Sequence, residues 1–179
     1  DEMGIMVWQD FMFSCACYPE EEPIRSLVEA EARHQVRRLR HHPSIVLWCG
    51  GNECVWAYES WGFKDKLTEG RSWGAGYYFD LLPRVCAELD ASRPYLPNSP
   101  WSGTGVHPND AGFGDRHTWD VWGDGYREIV PRLCSEFGQQ SPSNLATLRE
   151  AGLVPDAVSE SAGASKVMGS GSLVPAALL

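Results

Sequence analysis

Apolar residues fall along this chain in short unbroken runs and in longer stretches with helical spacing, and the two kinds alternate. Gly4-Ile5-Met6-Val7-Trp8 is a continuous run rich in strand formers, the pattern of a strand buried on both faces. After the acidic run Glu20-Glu21-Glu22 and Pro23, residues Ile24, Leu27, Val28, Ala32, Val36 and Leu39 recur at helical spacing, with arginines gathered at the far end. Acid ahead of the segment, proline in its first turn and base at its end predict a helix that stops at His42-Pro43. Ser44 to Cys49 is a second buried strand, halted by Gly50-Gly51. Strand, helix, strand is the repeating unit of a parallel α/β fold.

Further along, Tyr77, Leu81, Leu82, Val85 and Leu89 lie on one side of a helix predicted over about 76 to 89, which Pro83 breaks or restarts. Arg93 to Leu96 is a short strand leading into the turn-rich Pro97-Asn98-Ser99-Pro100. Residues 102 to 114, rich in Gly, Pro and Asn, predict a loop. Asp115 to Trp119 and Pro131 to Ser135 are the next strand candidates, and a helix capped by Ser143 is predicted up to Glu150. From 152 to 179 the unpatterned Gly, Ser, Ala and Val predict a poorly ordered tail. Residues 1–151 thus hold five strand candidates. A closed (β/α)8 barrel has eight strands and commonly about 250 residues, so three strands are wanting.

Composition narrows the ligand. With 179 residues and a net charge of -9, the chain has one cluster of basic residues, Arg37-Arg38-Leu39-Arg40, and a polyanionic partner such as nucleic acid is not expected. Eight tryptophans are more than packing alone asks of a chain this short and suggest an aromatic cleft. No apolar stretch reaches the roughly 20 residues of a membrane span, and no secretory signal opens the sequence. The six cysteines lie mostly in apolar runs and are expected as buried free thiols, which points to a cytoplasmic setting. His41 and His42 near Cys49 and Cys54 match no zinc spacing, so no metal is expected.

Two carboxylates carry the chemistry. Trp48-Cys49-Gly50-Gly51-Asn52-Glu53 and Ser135-Glu136-Phe137-Gly138 each put a Glu at the end of a strand. Two Glu at the ends of two parallel strands face one cleft, as a glycosidase needs: one protonates the leaving oxygen and the other attacks the anomeric carbon. An arbitrary Glu in such a place is more often a solvated loop carboxylate. Trp8, Trp48, Trp101, Trp119 and Trp122 serve either as sugar-stacking faces or as core. Asp10 contacts hydroxyls or caps a turn, and His117 bonds a hydroxyl or is a satisfied core histidine.

Five segments together resemble, in order, the β-mannosidases of glycoside hydrolase family two. They are Asp1 to Phe13 with its Trp-Gln-Asp-Phe-Met-Phe run, His42 to Glu53, Arg93-Pro94-Tyr95, Asp115 to Trp119, and Ser135 to Ser141. The resemblance covers residues 1 to about 150. It implies an incomplete TIM barrel with strands three to seven present, a catalytic domain over 1–151, and Asn52-Glu53 after the fourth strand. Glu53 is then the acid/base, Asn52 the contact for the sugar 2-hydroxyl, and Glu136, ending the seventh strand, the nucleophile. Trp8, Asp10, Trp101, His117 and Trp119 complete the expected substrate-binding set.

The implied activity is retaining, exo-acting hydrolysis of terminal β-D-mannosyl residues of β-mannosides or manno-oligosaccharides by double displacement, with no cofactor. Glu53 is expected to hold its proton near neutral pH against an apolar wall that includes Trp48. The alternatives are another family-two β-glycosidase acting on galactosides or glucosaminides, and an inactive fragment that at most binds carbohydrate. The family's β-sandwich domains, first two barrel strands and eighth strand have no counterpart here, so the N-terminus is expected to be missing. An open sheet of this kind is expected to be aggregation-prone.

Overall fold

Three parallel strands and the helices that connect them form the frame of the computed structural model, which describes residues 1–119, 128–138 and 143–153. β1 (Val7–Asp10) pairs with β2 (Ile45–Cys49), matching Trp8 to Leu47 and Asp10 to Cys49, and β2 pairs with β3 (Tyr95–Leu96). The crossover from β1 to β2 is α1 (Ile24–Leu39), which ends on Arg37 and Arg38 as predicted. Its N-terminus is held by Glu22, whose carboxylate accepts from the Ser26 amide and hydroxyl.

The crossover from β2 to β3 has four pieces. α2 (Cys54–Ser60) and α3 (Phe63–Lys66) are too short to leave a periodicity in the sequence, and Gly62 in the left-handed region separates them. The predicted helix over 76 to 89 begins as a π-helical turn, Tyr77–Leu81, and continues as α4 (Leu82–Leu89). Pro83 falls in the first turn of α4, directly after the π-helical turn, and the Tyr78 carbonyl five residues before it accepts the Tyr95 hydroxyl at 2.8 Å, so the proline restarts the helix.

A second, two-stranded parallel sheet joins β4 (Arg116–Thr118) to β5 (Cys134–Phe137), with His117 opposite Glu136. β5 begins three residues later than Pro131, where the predicted strand began. Residues Asp1–Gly138 form one compact unit and Gln139–Leu179 another. In the second, α5 (Leu145–Glu150) is capped by Asn144 and not by Ser143: the Asn144 Oδ1 accepts the Thr147 amide at 3.0 Å. Trp122 and the tail from residue 154 lie outside the described residues.

The core lies between the sheet and the α1/α4 layer. Ala32 and Val36 of α1 meet Leu82, Val85 and Cys86 of α4, and Ile45, Trp48, Phe11 and Phe13 close it from the sheet side. Trp48 turns into this layer: its ring stacks on Phe11 at 5.8 Å and its indole N–H donates to Asp90 at 2.9 Å. Ion pairs across the layer, Arg33 to Glu88 at 2.7 Å and Arg84 to Glu29 at 3.3 Å, lie in solvent, where screening leaves them little weight.

The first strand is not buried on both faces. It starts at Val7, while Ile5 and Met6 are 60% and 75% exposed. Gly4 turns through the left-handed region just before them, and among the described residues β2 alone pairs with β1.

Candidate active site

Glu53 follows the end of β2, whereas His117 lies within β4 and Glu136 within β5. β2 runs into Gly50 and Gly51, and both must be glycine: a Cβ on Gly50 would strike the Pro97 carbonyl, and one on Gly51 would lie 2.8 Å from the Phe13 Cβ. Neighbouring backbone then holds the next two residues from both sides. The Asn52 amide donates to the Phe13 carbonyl at 2.8 Å, and the Glu53 amide donates to the Ser99 carbonyl at 2.6 Å. Glu53 sits at φ +57°, a left-handed conformation that costs a non-glycine residue about 1 kcal/mol. It heads α2, accepts the Ala57 amide, and is 7% exposed.

His117, 1% exposed, is the hub of the cluster. Its Nδ1 lies 2.8 Å from Glu53 Oε1 and 3.3 Å from Glu136 Oε2. Its Nε2 lies 2.8 Å from Ser99 Oγ. Asn109, from the loop ahead of β4, clamps the same residue with a bond to each of its backbone groups. Asp115, two positions earlier and therefore on the same face of the strand, accepts the Ser99 and Ser135 hydroxyls at 2.6 and 2.8 Å and the Trp101 amide at 2.7 Å.

Glu136 sits opposite His117 in the β4–β5 register and accepts the indole N–H of Trp119 at 3.3 Å. One oxygen of Glu53, one of Glu136 and a ring nitrogen of His117 all lie within 4.8 Å of one another. All three are engaged in contacts within the cluster, an arrangement suited to moving a proton. Two carboxylates this close can divide the duties of proton donor and nucleophile.

Electrostatics run against one expectation. Burial pushes the Glu53 carboxyl up, but the hydrogen bonds from His117 and Cys15 and the charge of His117 together hold it below the usual carboxylate range. The wall around Glu53 is polar because Trp48 faces the helices, while His117 and the Cys15 thiol, 3.2 Å from Oε2, take its place. Asp10 goes the other way: burial, with the Asp115 charge adding, outweighs its bonds to Cys49 and Trp8 and raises it.

The remaining sequence candidates divide. Asn52 bridges Ser14 and Ser99 through its backbone and turns Nδ2 toward Ser14 Oγ at 3.4 Å, beside Glu53. Trp119 stays 42% exposed against Glu136 and Gly138. Trp8 donates its indole N–H to Asp10 at 2.8 Å, so each is the other's partner. The Trp101 ring packs on Phe79 at 5.6 Å and, with Trp8, Phe113 and Leu133, lines a cavity of about 410 Å3 that reaches Asp115. A larger apolar groove of about 580 Å3 between β1 and α1 contains neither glutamate.

The sequence reading missed Cys15, Ser99, Asp115 and Ser135 as members of the cluster. The spacing of Asp115 and His117, two apart on a strand, is the signal that could have found one of them. All six cysteines are free; Cys49, Cys54 and Cys86 are buried as expected, whereas Cys15 is exposed.

Residues 3–100 match the model of the TIM barrel domain of glycosyl hydrolases family 2. The chain is 43% identical over 155 residues to beta-mannosidase B of Thermothelomyces thermophilus, covering 79% of this chain and 18% of that protein. It is 41% identical over 165 residues to beta-mannosidase B of Emericella nidulans, covering 83% and 19%. Among solved structures, the beta-D-mannosidase of Dictyoglomus thermophilum superposes with a TM-score of 0.72 at 46% identity, over 83% of this chain and 18% of that one. The chain therefore spans 18–19% of the length of these relatives. Among the described residues no helix is long and apolar enough to cross a membrane. Matched by that family model over more than half of its length and 41–43% identical to these relatives, the chain belongs to glycosyl hydrolase family 2, within its TIM barrel domain.

Proposed function

We propose that this chain is the catalytic part, over residues 1–151, of a retaining exo-β-mannosidase. Its strands β1 to β5 correspond in this reading to strands three to seven of the eight in a (β/α)8 barrel, with Glu53 following the fourth and Glu136 ending the seventh. The observation that carries the proposal is the approach of a Glu53 oxygen and a Glu136 oxygen to within 4.8 Å. Retaining glycosidases hold their carboxyl groups about 5 to 5.5 Å apart, whereas inverting enzymes need about 6.5 to 9.5 Å to admit a water.

In the first step Glu136 attacks the anomeric carbon while Glu53 gives a proton to the departing oxygen. In the second, Glu53 takes a proton from water, and the hydroxide so formed releases mannose from Glu136. Asn52 is suited to hold the sugar 2-hydroxyl. Trp119, exposed beside Glu136, offers a stacking face, and Trp8, Asp10 and Trp101 are the further substrate-binding residues of this reading. The two-carboxylate chemistry calls for no cofactor. Mannose is favoured because the relatives named above are β-mannosidases at 41–46% identity. A net charge of -9 suits a neutral saccharide better than a polyanion.

The test is hydrolysis of an aryl β-mannoside by the full chain beside the galactoside, glucoside and glucosaminide, with Glu136→Ala as the blank. Mannoside turnover that vanishes in the variant, and β-mannose as the first-formed product by NMR, is the expected result. Faster turnover of another sugar would overturn the specificity, and turnover surviving in Glu136→Ala would overturn the nucleophile.

A further inference from the structure

Proton counting around His117 leads beyond the two glutamates. Asp115 Oδ1 accepts the Trp101 amide, and its Oδ2 accepts both the Ser99 and Ser135 hydroxyls. Ser99 has a single hydroxyl proton, and that proton is given to Asp115. The contact of 2.8 Å between Ser99 Oγ and His117 Nε2 then has only one donor left, the Nε2–H of the ring. With Nε2 protonated, the contact of 2.8 Å between Nδ1 and Glu53 Oε1 must also contain one proton. It resides either on Glu53 beside a neutral ring or on Nδ1 beside an ionised Glu53. The opposite tautomer, with Nδ1–H and a bare Nε2, would leave the Ser99–Nε2 contact without a proton and would satisfy Glu53 with no proton of its own.

We propose that Asp115 and Ser99 are positioning residues which act through His117, locking its ring as the Nε2–H donor so that the Glu53–His117 pair always carries a transferable proton at rest. This rests on the reading of Glu53 as acid/base and deepens it. It also accounts for how a carboxyl surrounded by hydrogen-bond donors can serve as an acid: the donated proton belongs to the pair. When Glu53 passes it to the leaving oxygen, the bare Nδ1 lone pair is left facing a carboxylate. That unfavourable contact draws back the proton of the attacking water, and the hydroxide completes the break from Glu136. The charged and titratable groups around the ring are Glu53 ahead of α2, Glu136 on β5, Asp115 before β4, Asp10 at the end of β1 and the Cys15 thiol behind Glu53.

The decisive variant is Asp115→Asn. The Trp101 amide needs the retained amide oxygen, so the new NH2 takes the place of Oδ2 and donates to Ser99. The Ser99 hydroxyl is thereby turned toward Nε2, and the ring is driven to the Nδ1–H form. Long-range 1H–15N spectra of the full chain labelled at histidine, with the His117 signals identified by His117→Asn, read this directly and without any activity. Nε2 protonated in the wild type, unprotonated in Asp115→Asn and protonated again in Ser99→Thr is the expected result. An unprotonated Nε2 in the wild type, or no change in Asp115→Asn, would overturn the lock.

Kinetics supply a second readout. Asp115→Asn should lose about 10²-fold in kcat/KM on an alkyl β-mannoside, whose leaving group needs an acid, and little on the dinitrophenyl mannoside, whose leaving group does not. Equal losses on both would mean a merely structural role and would also overturn the proposal. If Glu53→Gln keeps full turnover of the alkyl substrate, the acid/base reading of Glu53 fails, and the tautomer measurement still decides on the lock.

Discussion

Cys15 is the residue whose behaviour is least expected from its exposure. Its Sγ lies 3.2 Å from Glu53 Oε2. Partial burial of the sulfur pushes its thiol up, and the hydrogen bond and charge of Glu53 add to that despite the opposing Ser14 contact. The thiolate is the nucleophile, so this exposed thiol should react sluggishly. In Glu53→Gln the negative neighbour is gone, and alkylation of Cys15 by iodoacetamide at pH 8, followed by peptide mass spectrometry, should run several-fold faster than in the wild type. Equal rates would show that Glu53 does not govern the thiol. The sequence singles out the two glutamates because each adjoins an apolar strand-like run, but Cys15 and Ser99 come to the cluster from turns, where spacing says nothing about direction.

Among the elements, the junction of β2, α4 and β3 depends on one buried acid. Asp90, at the end of α4, accepts the Trp48 indole and pairs with Arg93 at 2.6 Å, and Arg93 also donates to the Arg40 and His42 carbonyls at the end of α1. Burial would raise the Asp90 carboxyl, but Ser92, Trp48 and Arg93 together hold it below its ordinary value. Asp90→Asn should cost roughly 2–4 kcal/mol at pH 7 by urea unfolding, since it leaves the largely enclosed Arg93 guanidinium without its charge partner. A depressed carboxyl stabilises fully above its unfolded value, about 3.9, and loses that contribution as pH falls through the folded value. The gap between wild type and variant should therefore shrink below about pH 4; a constant gap would mean that charge is not its source.

The same junction shows which elements the sequence disclosed. α1 carries a long, one-sided apolar pattern and β2 a short unbroken apolar run, and both end on clear stop signals, so both were legible. α2, α3 and the π-helical turn are made by local hydrogen bonding over a few residues and left no period to find. Trp48 looked like part of the site because it adjoins Gly50-Gly51-Asn52-Glu53 in sequence, yet strand alternation and the partner at Asp90 turn it into the core.

At the scale of the molecule, apolar surface gathers at one side of the first sheet. Ile5, Met6, Met12 and Leu27 are 60%, 75%, 80% and 62% exposed, and Met12 and Leu27 line the groove between β1 and α1. Exposed patches of this kind beside a strand edge drive association. The apparent mass of the chain in sedimentation should rise with concentration, and Met6→Lys with Leu27→Glu should suppress the rise while leaving the Glu53–His117–Glu136 cluster untouched. A mass independent of concentration in the wild type would refute this.

The left-handed backbone at Glu53 reverses an ordinary preference. At most positions alanine is the more stabilising truncation and glycine the costlier one, because glycine loses more freedom on folding. Glu53→Ala and Glu53→Gly discard the same carboxylate and abandon the same partners, so the difference between them isolates the torsion. Glycine should come out ahead by about 1 kcal/mol in thermal unfolding. That order would mark a place where the side chain sits against the comfort of the main chain, a conflict that a stability-guided redesign of this protein would erase first.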